Sequence, residues 1–296
     1  MRLGQSNKRG KREPLDSIAF FKRFMLVCLI TLFITAIVAA PLWALVPLSV
    51  DKQTVLVTDM PQQLKNLKVA FASDFHYSPR QSRLSLRAIK ALNDMGADLI
   101  ILGGDYGDTP EDAIAFFESI PKLNARIGVF AVLGDTDRDE ENFGSLIAAM
   151  KSRGIIPLIN SVEKIRIGGQ YLFVAGLDDC YYGRADATAV MEQLKASDTV
   201  IFAAHSPVVL QQIQSAEGKS HCFDLALFGH THGGQIRIGS FFPLNKLVED
   251  VTSRYISGWL EESRASILVS NGVGYEYFPA RLFATPQVHL ITLKAR

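Results

Sequence analysis

Three cysteines in 296 residues are too few for a disulfide-built scaffold. Cys28 falls in an apolar run, and although Cys180 and Cys222 could pair in an oxidising compartment, two unrelated thiols are the simpler expectation. No Gly-x-x-x-x-Gly-Lys-Ser/Thr loop is available to cradle a nucleoside triphosphate, and no Gly-x-Ser-x-Gly elbow points to a serine hydrolase. Gly272 and Gly274 have Gly-x-Gly spacing but lack the strand-to-helix setting of a dinucleotide site. Short repeats and low-complexity tracts are missing as well. Charge is nearly balanced, with 31 basic and 30 acidic residues, but unevenly spread. The first 23 residues hold seven basic and two acidic groups, which leaves 24 against 28 in the rest. A mildly acidic body argues against nucleic-acid binding through a phosphate-neutralising patch.

What the sequence does have, near its start, is one long charge-free run, FMLVCLITLFITAIVAAPLWALVPLSV, at residues 24–50. It exceeds the ~20 apolar residues that cross a bilayer and predicts a transmembrane helix ending near Pro47. A cleaved signal peptide fits less well, because its apolar region is about 7–15 residues and Pro41 follows the most obvious cleavage site. Arg2, Lys8, Arg9, Lys11, Arg12, Lys22 and Arg23 precede the run. The positive-inside rule therefore predicts a cytoplasmic N-terminus, with everything after residue 50 on the other side.

Downstream, apolar runs alternate with amphipathic segments: LKVAFASD (67–74), DLIILGGD (98–105), GVFAVLGD (128–135), YLFVAGLDD (171–179), TVIFAAHS (199–206), DLALFGH (224–230) and ASILVSNG (265–272). Such runs read as strands buried on both faces. Between the first two, Ser82 can cap a helix with Leu84, Ala88, Leu92 and Met95 on one face and Gly96 at its end. The alternation predicts an α/β architecture with helices covering sheets.

Ligands of open α/β sheets gather at the carboxyl ends of strands. Five of the seven runs end there in a candidate metal ligand: Asp74 with His76, Asp105, Asp135, His205, and His230 with His232. Only six histidines exist, and four stand after the ends of these runs. His221 and His289, left over, read as structural. Carboxylates and imidazoles without thiolates suit divalent Mn, Fe or Zn, and seven ligands imply two ions sharing a carboxylate.

The stretches SDFHYSP, GGDYGD, VLGDTD, AAHSP and GHTHGGQ, in this order, resemble the motifs of the calcineurin-like metallophosphoesterases. GHTHGGQI, GLDD at 176–179 and the closing PARLFATPQVHLITL resemble the membrane-associated bacterial branch of that superfamily. The resemblance implies a two-sheet α/β/β/α sandwich over residues 67–296, preceded by a basic cytoplasmic tail (1–23), an anchor (24–47) and a linker with a first strand (48–66). It also implies that Asp74, His76, Asp105 and His232 hold one metal, and that Asp105, Asp135, His205 and His230 hold the other. Two ions, with manganese the favoured metal, would polarise a phosphoryl oxygen and activate a shared water as a bridging hydroxide. Asp105, Asp135 and His230 are assigned the catalytic roles. Hydrolysis of a phosphoester or pyrophosphate is the implied activity.

The third motif departs from the family's Gly-Asn-His-Asp. Asp135 replaces a neutral Asn, which keeps a competent ligand, and Thr136 replaces the histidine placed near the leaving group. General acid catalysis is commonly worth about 10²–10⁴-fold, so its loss would favour substrates with activated leaving groups. Asp108, Asp137, Asp178 and Asp179 stand near the same strand ends, either to orient ligands or simply to be solvated. Aromatic stretches at 180–183, 240–247 and 275–283 read as core or as a rim for an acyl or prenyl group. Some members of the resembled family hydrolyse the cytosolic pyrophosphate UDP-2,3-diacylglucosamine in lipid A synthesis, which is one alternative. A catalytically impaired metal-binding protein is another.

Overall fold

The computed structural model describes residues 17–43, 47–79, 82–215, 223–238, 242–243, 251–262, 265–276 and 280–296, and the side chains of its first helix from 19 to 35. That helix, α1 (Ser17–Trp43), leads into the body. Its described side chains are mostly exposed and apolar, among them Phe20, Phe24, Leu29 and Phe33. Among the described residues no helix is long and apolar enough to cross a membrane. The basic residues before Asp16, His221, Cys222 and most of the 240–247 aromatic stretch lie outside the described residues.

In chain order the body consists of β1 (Ser49–Val57), β2 (Lys68–Ala72), α2 (Ser82–Asp94), β3 (Leu99–Leu102), α3 (Pro110–Ser119), β4 (Gly128–Ala131), α4 (Phe143–Ser152), β5 (Ile155–Pro157), β6 (Ser161–Ile167) and β7 (Gln170–Gly176). There follow α5 (Ala187–Met191), β8 (Thr199–Ala203), α6 (Val209–Ser215), β9 (Leu225–Phe228), β10 (Arg237–Ile238), β11 (Phe242–Pro243), β12 (Gly258–Glu262), β13 (Ala265–Val269) and β14 (Gln287–Ala295). All seven apolar runs of the sequence contain one of these strands. Two mixed six-stranded sheets result, in the orders β1-β14-β2-β3-β4-β5 and β12-β13-β9-β8-β7-β6. In each, four consecutive strands run parallel: β2 to β5 in the first sheet and β13, β9, β8 and β7 in the second.

Alternation along the strands builds the layers, because successive side chains point to opposite faces. Val69, Phe71, Leu99 and Ile101 enter the core shared with Leu172, Val174, Ile201 and Leu227 of the other sheet. Ala70, Ala72, Ile100 and Leu102 face Ile89, Leu92, Phe116, Phe117 and Met150 of α2, α3 and α4. On the far side, Val200, Phe202, Ala226 and Phe228 pack on Val190, Met191, Leu210 and Ile213 of α5 and α6. The molecule is thus a layered α/β sandwich with helices outside both sheets.

β1 lies within the stretch expected to hold a first strand (48–66), and β14, which carries His289, has mixed polar and apolar residues outside the seven apolar runs. β14 pairs parallel with β1 over its whole length and antiparallel with β2, so the last described strand lies inside the first sheet. It follows that β1 begins at the end of the sheet where β2 finishes. Its first residue is held there by the Ser49 N–H donating to the Pro286 carbonyl at 2.9 Å.

Candidate metal centre

The parallel strands of both sheets finish at one pole, and the loops beyond them bring the sequence-predicted residues together. Asp74 follows β2, Asp105 follows β3, Asp135 follows β4, His205 follows β8, and His230 and His232 follow β9. Ligand atoms of Asp74, His76, Asp105 and His232 lie within 4.8 Å of one another, and so do those of Asp135, His205 and His230. Asp105 joins the groups: its Oδ2 is 3.5 Å from His76 Nε2 and 3.2 Å from His205 Nε2.

Backbone geometry sets this convergence. Asp74, His76, Asp105, His230 and His232 all have left-handed backbones, with φ between 43° and 70°. For a residue with a Cβ this costs roughly 1–2 kcal/mol, so strain is concentrated on five of the seven residues. Local bonds hold those bends. His230 N–H donates to Asp74 Oδ1 at 2.8 Å, and Ser73 Oγ donates to Asp74 Oδ2 at 2.5 Å. Close packing also demands glycine: a Cβ on Gly134 would collide with Asp105 Oδ1, and one on Gly229 would stand 2.5 Å from Asp74 Oδ2.

The donor set fits divalent cations. His205 Nδ1 donates to the Gly103 carbonyl at 2.7 Å, which leaves Nε2 facing Asp105 Oδ2 and Asp135 Oδ1, at 3.2 and 3.1 Å. Buried Nε2 makes no hydrogen bond with either oxygen. Two carboxylates turned toward one imidazole nitrogen in a buried space call for positive charge between them, a proton on the ring or a cation in its place. His76 is similar: Nδ1 is 3.3 Å from Asp108 Oδ1 while Nε2 points at His232 Nε2, 3.0 Å away.

Proton affinities express the same demand. Burial pushes the Asp74 carboxyl above the usual range. Burial opposes charge on His205, yet Asp105 and Asp135 hold its pKa well above the ordinary imidazole value. Burial likewise opposes charge on His76, but Asp108, Asp105 and Asp74 raise its pKa to about 9. For Asp135 burial is outweighed by His205 and His230, and the carboxyl is driven low. His232 is pushed well below its ordinary value by burial and by the charges of His76 and Arg281.

Several residues left open by the sequence acquire definite contacts. Asp137 accepts from the N–H groups of Asp105, Tyr106 and Gly134 at 2.8–3.0 Å, which ties the β3 loop to the β4 loop. Burial and the Asp105 charge raise its pKa to about 7 despite these bonds. Asp108 meets His76, whereas Asp178 and Asp179 accept from backbone N–H groups of residues 179–184. The Thr136 hydroxyl and N–H both donate to Asp105 Oδ1, at 3.0 and 3.1 Å. Tyr181 stacks on His230 with ring centroids 5.0 Å apart, and Tyr182 stands exposed beside it. His289 lies away from the centre, between Ser270 Oγ and Asp51 Oδ2.

Arg281, which sequence reasoning passed over, is buried against His232. Its signals were a lone charge within the apolar stretch FPARLFA and its place in the closing PARLFATPQVHLITL, which gave the residue no role by itself.

Comparison with known proteins agrees with this geometry. The model of the family described as calcineurin-like phosphoesterase matches residues 67–234, more than half of the chain. The chain is 31% identical over 232 residues to phosphodiesterase YaeI of Escherichia coli, covering 76% of this chain and 82% of that protein. It is 26% identical over 249 residues to the uncharacterized metallophosphoesterase YkuE of Bacillus subtilis, covering 82% and 85%. A protein of Danio rerio named transmembrane protein with metallophosphoesterase domain is 25% identical over 307 residues, covering 99% of this chain and 68% of that one. With the ordered motifs, the layered fold and the histidine–carboxylate cluster in agreement, the chain belongs to the calcineurin-like phosphoesterases and is a metal-dependent phosphoester hydrolase.

Proposed function

We propose that this phosphoesterase works with two divalent cations, manganese being favoured, held by Asp74, His76, Asp105 and His232 on one side and by Asp105, Asp135, His205 and His230 on the other. The observation that carries this reading is the pair of ligand groups joined through Asp105. When bound, two such cations supply Lewis acidity toward a phosphoryl oxygen and lower the pKa of a water. The chain's own part is positioning. Asp105 is kept in place by Thr136, and His230, flanked by Tyr181 and half-exposed Asp135, stands on the more open side where a phosphoryl group would approach.

Substrates with activated leaving groups, pyrophosphates among them, suit this site best. The hydroxyl of Thr136 is committed to Asp105 and has no useful pKa for protonating an alkoxide. Seven competent ligand side chains drawn together weigh against a catalytically impaired protein.

Residues 24–47 are proposed as a membrane anchor in a bacterial inner membrane, with the N-terminus cytoplasmic and the body outside. Their lack of charge, the basic residues before them and the relative named as a transmembrane protein support this. β1 begins at the pole of the metal centre, and the five steps from Trp43 to Leu48 reach only roughly 18 Å. The centre would then lie near the bilayer, where a lipid-linked phosphoester or pyrophosphate could reach it. A cytosolic substrate such as UDP-2,3-diacylglucosamine would require the opposite orientation, which a C-terminal reporter active in one compartment decides.

Turnover of bis-p-nitrophenyl phosphate should vanish with a chelator and return with Mn²⁺; turnover indifferent to both would sink the metal reading. Thr136→His should raise hydrolysis of alkyl phosphodiesters relative to pyrophosphates by about 10-fold or more. An unchanged ratio would remove the leaving-group argument.

A further inference from the structure

The loop after β7 is bound up more tightly than a surface connection requires. Asn160 Oδ1 accepts from the N–H groups of Asp178 and Asp186, and Asn160 Nδ2 donates to the Arg184 carbonyl at 2.7 Å. Asp178 accepts from the N–H groups of Asp179 and Arg184, and Asp179 Oδ2 from those of Tyr181, Tyr182 and Gly183. Six of the seven N–H groups from 178 to 184 thus end on three side chains. Arg138, three residues past Asp135, places Nε 3.3 Å from Asp178 Oδ1 and braces this loop against the one that follows β4. Asp178 and Asp179 are both buried, and burying two carboxylates is costly, so the loop's fixed shape has a use beyond joining β7 to α5.

What the loop presents is a pair of rings. Tyr181 stacks on His230 with the planes 27° apart, and its hydroxyl lies 3.4 Å from Ser206 Oγ. Tyr182 is 72% exposed, more than any other described large apolar side chain, those of α1 included. A ring this exposed is rim and not core. Held on a fixed backbone, it loses little conformational freedom when something binds against it. The occupant follows from what the loop does not offer. Its N–H groups are already used, so few backbone donors remain to read a sugar or a base. One face of Tyr181 is taken by His230, which leaves ring edges and the open Tyr182 ring, an apolar surface suited to a chain that needs no directional bonds.

We propose that Tyr181 and Tyr182 form a subsite for the apolar arm of the substrate, an acyl or other hydrocarbon chain carried by the phosphate whose phosphoryl group is held at the outer ligand group. The inference rests on the reading of Asp105, Asp135, His205 and His230 as that group, and it deepens the reading by naming a substrate class. A phosphoryl group beside His230 carries its substituent past the ring stacked on that histidine, and Tyr182, the next residue, extends the same surface outward. Tyr182 is therefore a specificity residue that touches the chain and no reacting atom. Tyr181 packs His230 on one side and lines the subsite on the other.

The test keeps the leaving group constant and varies the other arm: methyl, hexyl and phenyl esters of p-nitrophenyl phosphate, hydrolysed with Mn²⁺ by the purified full chain at one detergent concentration. The wild type should have a KM about 10-fold lower for the hexyl than for the methyl ester. Tyr182→Ala should erase that preference by raising the hexyl KM, with kcat and the methyl KM within about twofold of wild type, and Tyr182→Trp should keep it. Calorimetric titration with hexylphosphonate and methylphosphonate, which are not turned over, should show the same preference in the wild type and its loss in Tyr182→Ala. Equal KM values for the two esters in the wild type, or an equal change for both in Tyr182→Ala, overturns the subsite. So does a fall in kcat alone, the mark of a merely structural ring. A phenyl ester bound more tightly than the hexyl ester overturns the choice of a hydrocarbon chain. A wild type that hydrolyses none of the three esters overturns the reading of the outer ligand group and this inference with it, whereas turnover without preference overturns the inference alone.

Discussion

The two ligand groups are close neighbours built to different standards. Asp74, His76, Asp105 and His232 are each at most 3% exposed, and Ser73, Asp108, Asp137 and Arg281 tie down their side chains or their loops. In the other group His205 is as deeply buried and bonded to Gly103, but Asp135 is only half-buried, and His230 packs between the rings of Tyr181 and His205. Fewer outer partners at Asp135 and His230 mean less preorganisation and easier access there. The contrast suggests a division of labour in which the inner group retains its cation while the outer one meets substrate and exchanges with solvent.

Removing the residue common to both groups gives the largest expected effect. Asp105→Ala should cost on the order of 10³-fold or more in Mn²⁺-dependent turnover and should empty both sites. Retention of one full-affinity site would show that the groups are independent. A smaller effect sharpens the contrast: His232→Ala should lower Mn²⁺ affinity by about 10–100-fold, whereas His230→Ala should mainly lower turnover and speed cation exchange. Equal losses of affinity in both variants would mean that burial does not distinguish the groups.

The smallest effect belongs to a buried histidine outside both. His289 has its pKa lowered by burial, against the pull of Asp51. A lowered folded-state value means that stability is full above the ordinary imidazole pKa and is lost as pH falls through it. Asp51, lowered by its bond to His289, adds to loss in the same direction at still lower pH. Thermal melting of His289→Gln between pH 7.5 and 5 should therefore fall less with acid than the wild type does, with turnover unchanged. An identical slope in both proteins would rule out this assignment.

Much of this was legible in the sequence because continuous apolar runs mark doubly covered parallel strands, and polar residues just past them share one pole. LIIL and LALF could hardly be anything else, and Asp105 and His230 follow them closely. The place of β14 was not legible: QVHLITLKA mixes polar with apolar residues, and its position between β1 and β2 depends on contacts more than 200 residues away. Arg281 was hidden for a different reason: a buried cation that bonds carbonyls has no companion acid to betray it. Thr136 could be recognised as a departure, but that its hydroxyl turns back to Asp105 follows only from the short turn at 135–137.

The interior position of β14 also governs when the molecule can be finished. β2, which leads to Asp74, is made early but lacks its neighbour on one side until residues 287–295 emerge, roughly 10–40 s later at ordinary rates of translation. Throughout that interval β2 presents an unpaired edge, a template for wrong partners. A first sheet still lacking β14 would hold the loop of Asp74 on a strand unpaired on one side, so the inner ligand group is expected to reach its full order only once residues 287–295 are in place.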